Sequence, residues 1–249
     1  MAKKARLDQL LVERGLFETR TKAQAAIMAG QVLVEGVAQT KAGSPTAEDA
    51  SIELLKPSPY VSRGGLKLQA ALDAWPDLAV KDRVCLDVGA STGGFTDCLL
   101  QRGAAKVHAI DVGTAQLDSK LRADPRVVSR EKTHAKELRP GWFDPRPDLC
   151  VIDVSFISLT QVLPHVVPCL SRPFDLVALV KPQFEVGPKL APKGVARDEA
   201  ARQAALDKVR ATLAGLGLEE VGVMDCPVHG PKGNVEYLLR LKSGKILVG

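Results

Sequence analysis

Seven short apolar runs between Arg83 and Leu241 constrain this chain more than any other feature. They are "RVCLDV", "KVHAIDV", "RVVS", "DLCVIDV", "FDLVALVK", "EEVGVMDCP" and "VEYLLRL". Helical spacing of apolar residues fills the gaps at 94–102, 115–122, 158–170 and 198–216. The runs are nearly continuous rather than alternating, the pattern of strands covered on both faces. Strand and helix in alternation predict an α/β fold with a doubly wound, mostly parallel sheet. Only the turn-rich "PVHGPKGN" joins the last two runs. That is too short for a helical crossover, so this pair is expected to be antiparallel.

Residues 6–55 read as a separate small α+β unit. "RLDQLLVERG" is a short amphipathic helix stopped at Gly15, and "TRTKAQAAIMAG" a second one. Thr19 or Thr21 is placed to cap the second helix, and Gly30 to end it. "QVLVEGVAQT" predicts two strands around a turn at Glu35-Gly36, and "ASIELL" another strand. Pro57 and Pro59 mark a stiff linker, which puts the domain border between residues 58 and 59.

The 34 Lys+Arg exceed the 29 Asp+Glu, and part of the excess sits at the front in Lys3, Lys4, Arg6, Arg14, Arg20 and Lys22. Such a skew points to a polyanionic partner, although each of these residues taken singly also fits a solvated face. The five cysteines are scattered, odd in number and never spaced Cys-x-x-Cys, which argues against structural zinc and against a disulfide framework. His108, His134, His165 and His229 show no ligand spacing, so no metal is expected. "MAKKARLDQLL" meets acidic residues before any long apolar run, and no stretch reaches the about 18 apolar residues of a membrane span. A soluble, cytosolic protein is the expectation.

"LDVGASTGGFTD" follows the first run with Gly89, Gly93 and Gly94, and Phe95 then enters a helix. Glycines there let a backbone approach a ligand closely. The spacing is not G-x-G-x-x-G and no P-loop is present, so a nucleotide pyrophosphate is disfavoured. Asp87 beside these glycines suits a cationic ligand, and S-adenosylmethionine carries an ammonium and a sulfonium. Asp111 closes the next run about 24 residues on, where an acid receives ribose hydroxyls in such folds. A tight strand–helix turn with an aspartate cap is the plainer alternative.

Asp153 and Lys181 end two successive apolar runs, and Glu236 begins the last. Charges at such positions are rarely buried unless paired, so a structural salt bridge is one account of them. Chemistry is the other. A ribose 2′-hydroxyl needs a base to lose its proton, and a lysine, with a pKa about 10.4 when free, serves only if burial or a second cation assists. Lys67, in "PYVSRGGLKLQAAL", is available as that second cation, or is one more solvated charge. Base methylation leaves other marks. The amino-group motif [DN]-P-P-[FYW] is replaced by Asp153-Val154-Ser155-Phe156, and the lone Pro-Cys, Pro168-Cys169, falls late in a helix. An oxygen acceptor is favoured.

Residues ~61–249 resemble the FtsJ/RrmJ-type ribose methyltransferases, whose Lys-Asp-Lys-Glu tetrad matches Lys67, Asp153, Lys181 and Glu236. "RLDQLLVERGLFETRTKAQAAIMAGQVLVEG" resembles the αL RNA-binding module of the ribosomal S-four type. With "SRGGLKL", "VIDVSFISL", "LVKPQFE" and "GNVEYLL", the chain is similar to the TlyA family along nearly its whole length. The resemblance implies a Rossmann-like methyltransferase fold behind an RNA-binding module. It implies S-adenosylmethionine-dependent 2′-O-methylation of cytidine in ribosomal RNA, with ribosomal RNA or a ribosomal subunit as partner. RNA would be gripped by Lys4, Arg6, Arg20, Lys22 and Arg63. The cofactor set would be Asp87, Gly89, Gly93, Gly94, Phe95 and Asp111.

Two departures stand out. "EKTHAK" carries His134 where the family usually has Asn, and Thr19 replaces the usual Ser. A silent methylase fold acting in ribosome assembly is the competing reading. The family's older name, haemolysin A, suggests a cytolysin, but no long amphipathic or apolar insertion segment is present.

Overall fold

The computed structural model describes residues 3–55, 58–230 and 233–243. Pro57 of the linker and Pro231 and Lys232 of the last turn lie outside the described residues. Internal contacts divide the chain into Met1–Arg63 and Gly64–Gly249.

The first unit runs β1 (Lys4–Arg6), α1 (Leu7–Glu13), α2 (Arg20–Met28), β2 (Val32–Val34), β3 (Val37–Gln39), β4 (Pro45–Ala47) and β5 (Ile52–Leu54). Leu7 and Leu11 of α1 meet Ala23, Ala26 and Ile27 of α2 over Val32, which makes a small closed core. Of the two candidate caps it is Thr19 that closes α2, its Oγ1 accepting from Lys22 N–H at 3.3 Å. Strands β3, β2 and β5 form one antiparallel sheet, and β1 pairs with β4 in another. These last two are three-residue strands with no alternation to betray them, and the sequence gives no sign of either.

The second unit holds α3 (Gly64–Ala74), β6 (Val84–Val88), α4 (Gly94–Gln101), β7 (Lys106–Ile110), α5 (Ser119–Arg122), β8 (Val127–Arg130) and β9 (Leu149–Ile152). It continues through α6 (Leu159–Val166), β10 (Asp175–Val180), α7 (Pro182–Glu185), α8 (Glu199–Leu213), β11 (Leu218–Asp225) and β12 (Tyr237–Ser243). The sheet order is β11-β12-β10-β9-β6-β7-β8. Strands β6 to β10 run parallel, while β12 is antiparallel to both β10 and β11. This is the seven-stranded, mostly parallel α/β sheet that the apolar runs predict.

One predicted helix contracts. Of 115–122 only Ser119–Arg122 is helical. Glu131, distant in sequence, accepts the backbone N–H groups of Ala115 at 2.6 Å, Gln116 at 2.8 Å and Leu117 at 3.2 Å. A carboxylate has taken donors that an extra helical turn would have left open.

The opposite rim of the sheet is tied by charge. Arg83 reaches Asp148 and Asp175, and Arg240 reaches Asp175 and Asp77. All the parallel strands end at the other rim. Order reverses between β6 and β9, and ligands in open α/β sheets sit at the carboxyl end of such a crevice.

Candidate active site

Three strand ends meet at that rim. Register sets Val180 opposite Tyr237 and Ala178 beside Ile152. Asp153, Lys181 and Glu236, each one residue outside its strand, are thereby neighbours, and α3 delivers Lys67 to the same place. Lys67 Nζ lies 2.6 Å from Glu236 Oε2, and Lys181 Nζ lies 2.6 Å from Asp153 Oδ1. Lys181 also donates to Ser155 Oγ at 2.9 Å. Two cations face two carboxylates in a nearly dry setting, with the Lys67 side chain 10% exposed and Glu236 0%. Burial alone would pull the Lys67 ammonium down, but Asp153 and Glu236 together outweigh it, and its pKa is raised. Lys67 is held as a cation.

The contact with Asp153 is an ion pair without hydrogen-bond alignment, so Ser155 is the directional partner of Lys181. Glu236 Oε1 is buried without a hydrogen-bond partner. Gly230 stands against this carboxylate, where any Cβ would overlap Oε1.

A cavity of about 500 Å³ opens here, with Gly89, Ser91, Asp111, His134, Asp153 and Ser155 in its wall. Its size suits a nucleoside-sized ligand. Asp153 of that pair lines this cavity, and Lys181 reaches Ser155 in the same wall. Gly89 takes φ +87° and lies so close to the Asp153 carbonyl that a Cβ would overlap it. Asp111 accepts Ser91 N–H and Gly113 N–H, each at 2.7 Å. Each carboxylate oxygen keeps one lone pair free, which matches the two hydroxyls of a ribose.

The rest of the predicted cofactor set stands behind the wall. Gly93, at φ +96°, packs under Leu117 and Leu121, and Gly94 opens α4. Phe95 is buried in the core. Asp87 is fully buried in β6. One oxygen accepts from Thr96 Oγ1 at 2.6 Å, and Oδ1 has no partner. Burial pushes the Asp87 carboxyl up to about 7, against the Thr96 hydrogen bond. An orphaned buried acceptor of this kind fits a ligand that brings its own ammonium. His134 caps a short 3-10 turn: Nδ1 accepts Lys136 N–H at 3.1 Å, and Glu137 accepts His134 N–H at 3.2 Å. The imidazole supplies the acceptor that an asparagine carbonyl would.

In the N-terminal unit the predicted RNA contacts are organised by a residue that sequence reasoning passed over. Asp8 is buried and accepts Arg6 Nε at 3.0 Å, Arg20 Nε at 2.7 Å and Gln24 Nε2 at 2.7 Å. The Arg6 hydrogen bond, assisted by Gln24 and Arg20, holds this carboxyl far below the usual range despite burial. Lys22 pairs with Glu18, Arg63 lies beside Gly30, and Lys4 is exposed on β1. Among the described residues no group of three or more His, Cys, Asp and Glu side chains could hold a metal ion.

A seven-stranded sheet of this order, with acids at the ends of β6 and β7 and a nucleoside-sized cavity beyond them, defines a Rossmann-like methyltransferase. The sequence matches the FtsJ-like methyltransferase family over residues 60–243 and the S4 domain over 5–46. It is 47% identical over 246 residues to the 16S/23S rRNA (cytidine-2′-O)-methyltransferase TlyA of Mycobacterium tuberculosis, spanning 98% of this chain and 91% of that protein. It is 43% identical over 235 residues to hemolysin A of Brachyspira hyodysenteriae, spanning 94% of this chain and 98% of that one. A Streptococcus thermophilus protein solved under the name of a hemolysin superposes with a TM-score of 0.77 at 40% identity, over 98% of this chain and 90% of its own. The chain belongs to the TlyA family of FtsJ-like methyltransferases. It is an enzyme, and its cofactor is S-adenosylmethionine.

Proposed function

We propose that this enzyme methylates the 2′-hydroxyl of a cytidine ribose in ribosomal RNA, with Lys181 as the base. The observation that carries this reading is the Lys67–Glu236 and Lys181–Asp153 set, of which Asp153 lines the cavity. Bound S-adenosylmethionine supplies an electrophilic methyl carbon. Asp111 would hold its ribose, Asp87 its ammonium, and the Gly89 turn its close approach to the backbone. The chain does the rest. Lys181 takes the proton of the acceptor hydroxyl at Nζ, and Asp153 keeps that nitrogen in place. Lys67, fixed by Glu236, adds a second positive charge to the set. Alignment of the oxygen with the methyl group accounts for much of the rate.

The N-terminal unit would grip folded RNA by its phosphates, using Lys4, Arg6, Arg20, Lys22 and Arg63. It would end at residue 58, with the methyltransferase domain from 59 onward. The target nucleotide leaves its stack to reach the cavity. Such an enzyme works where ribosomal RNA is made, in the cytoplasm.

Transfer of tritium from labelled S-adenosylmethionine to ribosomal RNA tests the reading. Wild type is expected to label the RNA and Lys181→Ala is not. Equal labelling by both would remove Lys181 from the mechanism.

A further inference from the structure

Lys181 has two partners of different character. Asp153 holds Nζ by charge at 2.6 Å, without alignment. Ser155 holds it by a hydrogen bond at 2.9 Å. Charge attraction has no preferred direction about the Cε–Nζ bond, whereas a hydrogen bond fixes one N–H along a line. Ser155 lies on the loop after β9, is exposed, and is part of the cavity wall. Lys181 is its one side-chain hydrogen-bond partner among the described residues.

This difference matters once the lysine has given up a proton. A neutral amine keeps two hydrogens and gains a lone pair, and the charge attraction to Asp153 fades with the positive charge. Ser155 then decides where the nitrogen points. With one hydrogen fixed on Ser155, the lone pair is confined to the two remaining tetrahedral positions.

We propose that Ser155 is a positioning residue for methyl transfer, aiming the lone pair of Lys181 at the acceptor hydroxyl. The proposal rests on Lys181 being the base. Ser155 itself neither gains nor loses a proton, which passes directly from the hydroxyl to Nζ.

The test is single-turnover methyl transfer by Ser155→Ala and Ser155→Thr as a function of pH, beside the affinities for S-adenosylmethionine and for RNA. Ser155→Ala is expected to lose about 10- to 100-fold in the plateau rate, the scale of a misaimed reacting group. Both affinities stay within about twofold of wild type, and Ser155→Thr, which keeps the hydroxyl, recovers most of the rate. A rate within twofold of wild type overturns the proposal. So does a loss of rate matched by a loss of S-adenosylmethionine affinity, which would make Ser155 a cofactor contact. Lys181→Ala separates the two levels. If it stays active, the assignment of the base fails. If it is dead while Ser155→Ala is normal, only the role of Ser155 falls.

Discussion

Lys67 and Glu236 are 169 positions apart, yet Nζ and Oε2 meet at 2.6 Å with the glutamate fully buried. The first turns of α3 are thereby tied to the entry of β12. Lys67 is no solvated charge, and its removal has two consequences rather than one.

Taken as a residue on a helix after a linker, Lys67 invites the expectation that Lys67→Ala spares folding and abolishes transfer. The pair changes the first half. Deleting one partner of a buried ion pair typically costs about 3–5 kcal/mol, because the other charge is left uncompensated. Lys67→Ala is therefore expected to be inactive and clearly destabilised in urea unfolding. Lys67→Ala combined with Glu236→Gln should regain stability without regaining activity. A fully stable Lys67→Ala would show that the pair is loose. The raised pKa of Lys67 fixes the pH window: its contribution is complete below the ordinary lysine value and is lost as pH climbs through the raised one.

Asp87, as the proposed partner of the cofactor's ammonium, should make cofactor affinity depend on pH. A carboxyl titrating at about 7 must lose its proton before it can hold an ammonium. Affinity for S-adenosylmethionine should thus rise by up to about tenfold per pH unit below 7 and level off above it. Titration calorimetry in buffers of different ionisation enthalpy should register a released proton at pH 6. Asp87→Asn should flatten the profile, and an unchanged profile in that variant would assign the dependence elsewhere.

Asp8 gives a test in which charge counting and geometry disagree. Asp8→Asn makes the N-terminal unit more positive, which by electrostatics alone strengthens RNA binding. The two arginines would lose the carboxylate that fixes them, and binding is expected to weaken several-fold in filter or anisotropy assays. Tighter binding would mean that Arg6 and Arg20 act as loose charges. Stability of this unit should also drop in acid. The contribution of Asp8 is present above the usual carboxylate range and is lost as pH falls below it.

Phe156 is 91% exposed, takes a positive φ of 65°, and has the Phe184 ring 5.0 Å away. It lines the cavity beside Ser155, where an extruded base would pass. Base–aromatic stacking is worth about 1–3 kcal/mol per base. Phe156→Ala should therefore raise the KM for RNA about tenfold while leaving S-adenosylmethionine affinity unchanged. An unaltered KM would assign the ring to packing on Phe184.

The architecture of the second unit was readable because apolar runs ended by Asp or Lys can be reconciled with burial only at a strand end. Asp153 and Lys181 could be picked out that way, and Glu236 by its place at the start of the last run. Lys67 could be reached only by asking what an acid–base set lacked. Other features depend on partners far away in sequence. Gly89 and Gly93 look alike on paper, yet one approaches the Asp153 backbone and the other packs under Leu121. Glu131 shortens a helix it does not belong to, and Gly230 matters only because Glu236 presses on it. Ser155 reads as an ordinary loop serine until Lys181 is seen to reach it.

Nucleoside mass spectrometry of ribosomal RNA shows whether the methyl group goes to a ribose oxygen of cytidine. RNA from cells lacking this protein, incubated with the enzyme and S-adenosylmethionine, should gain 2′-O-methylcytidine at a defined position, and none with Lys181→Ala. Methyl groups found on a base, or no gain with the wild-type enzyme on either naked RNA or ribosomal subunits, would contradict 2′-O-methylation of cytidine.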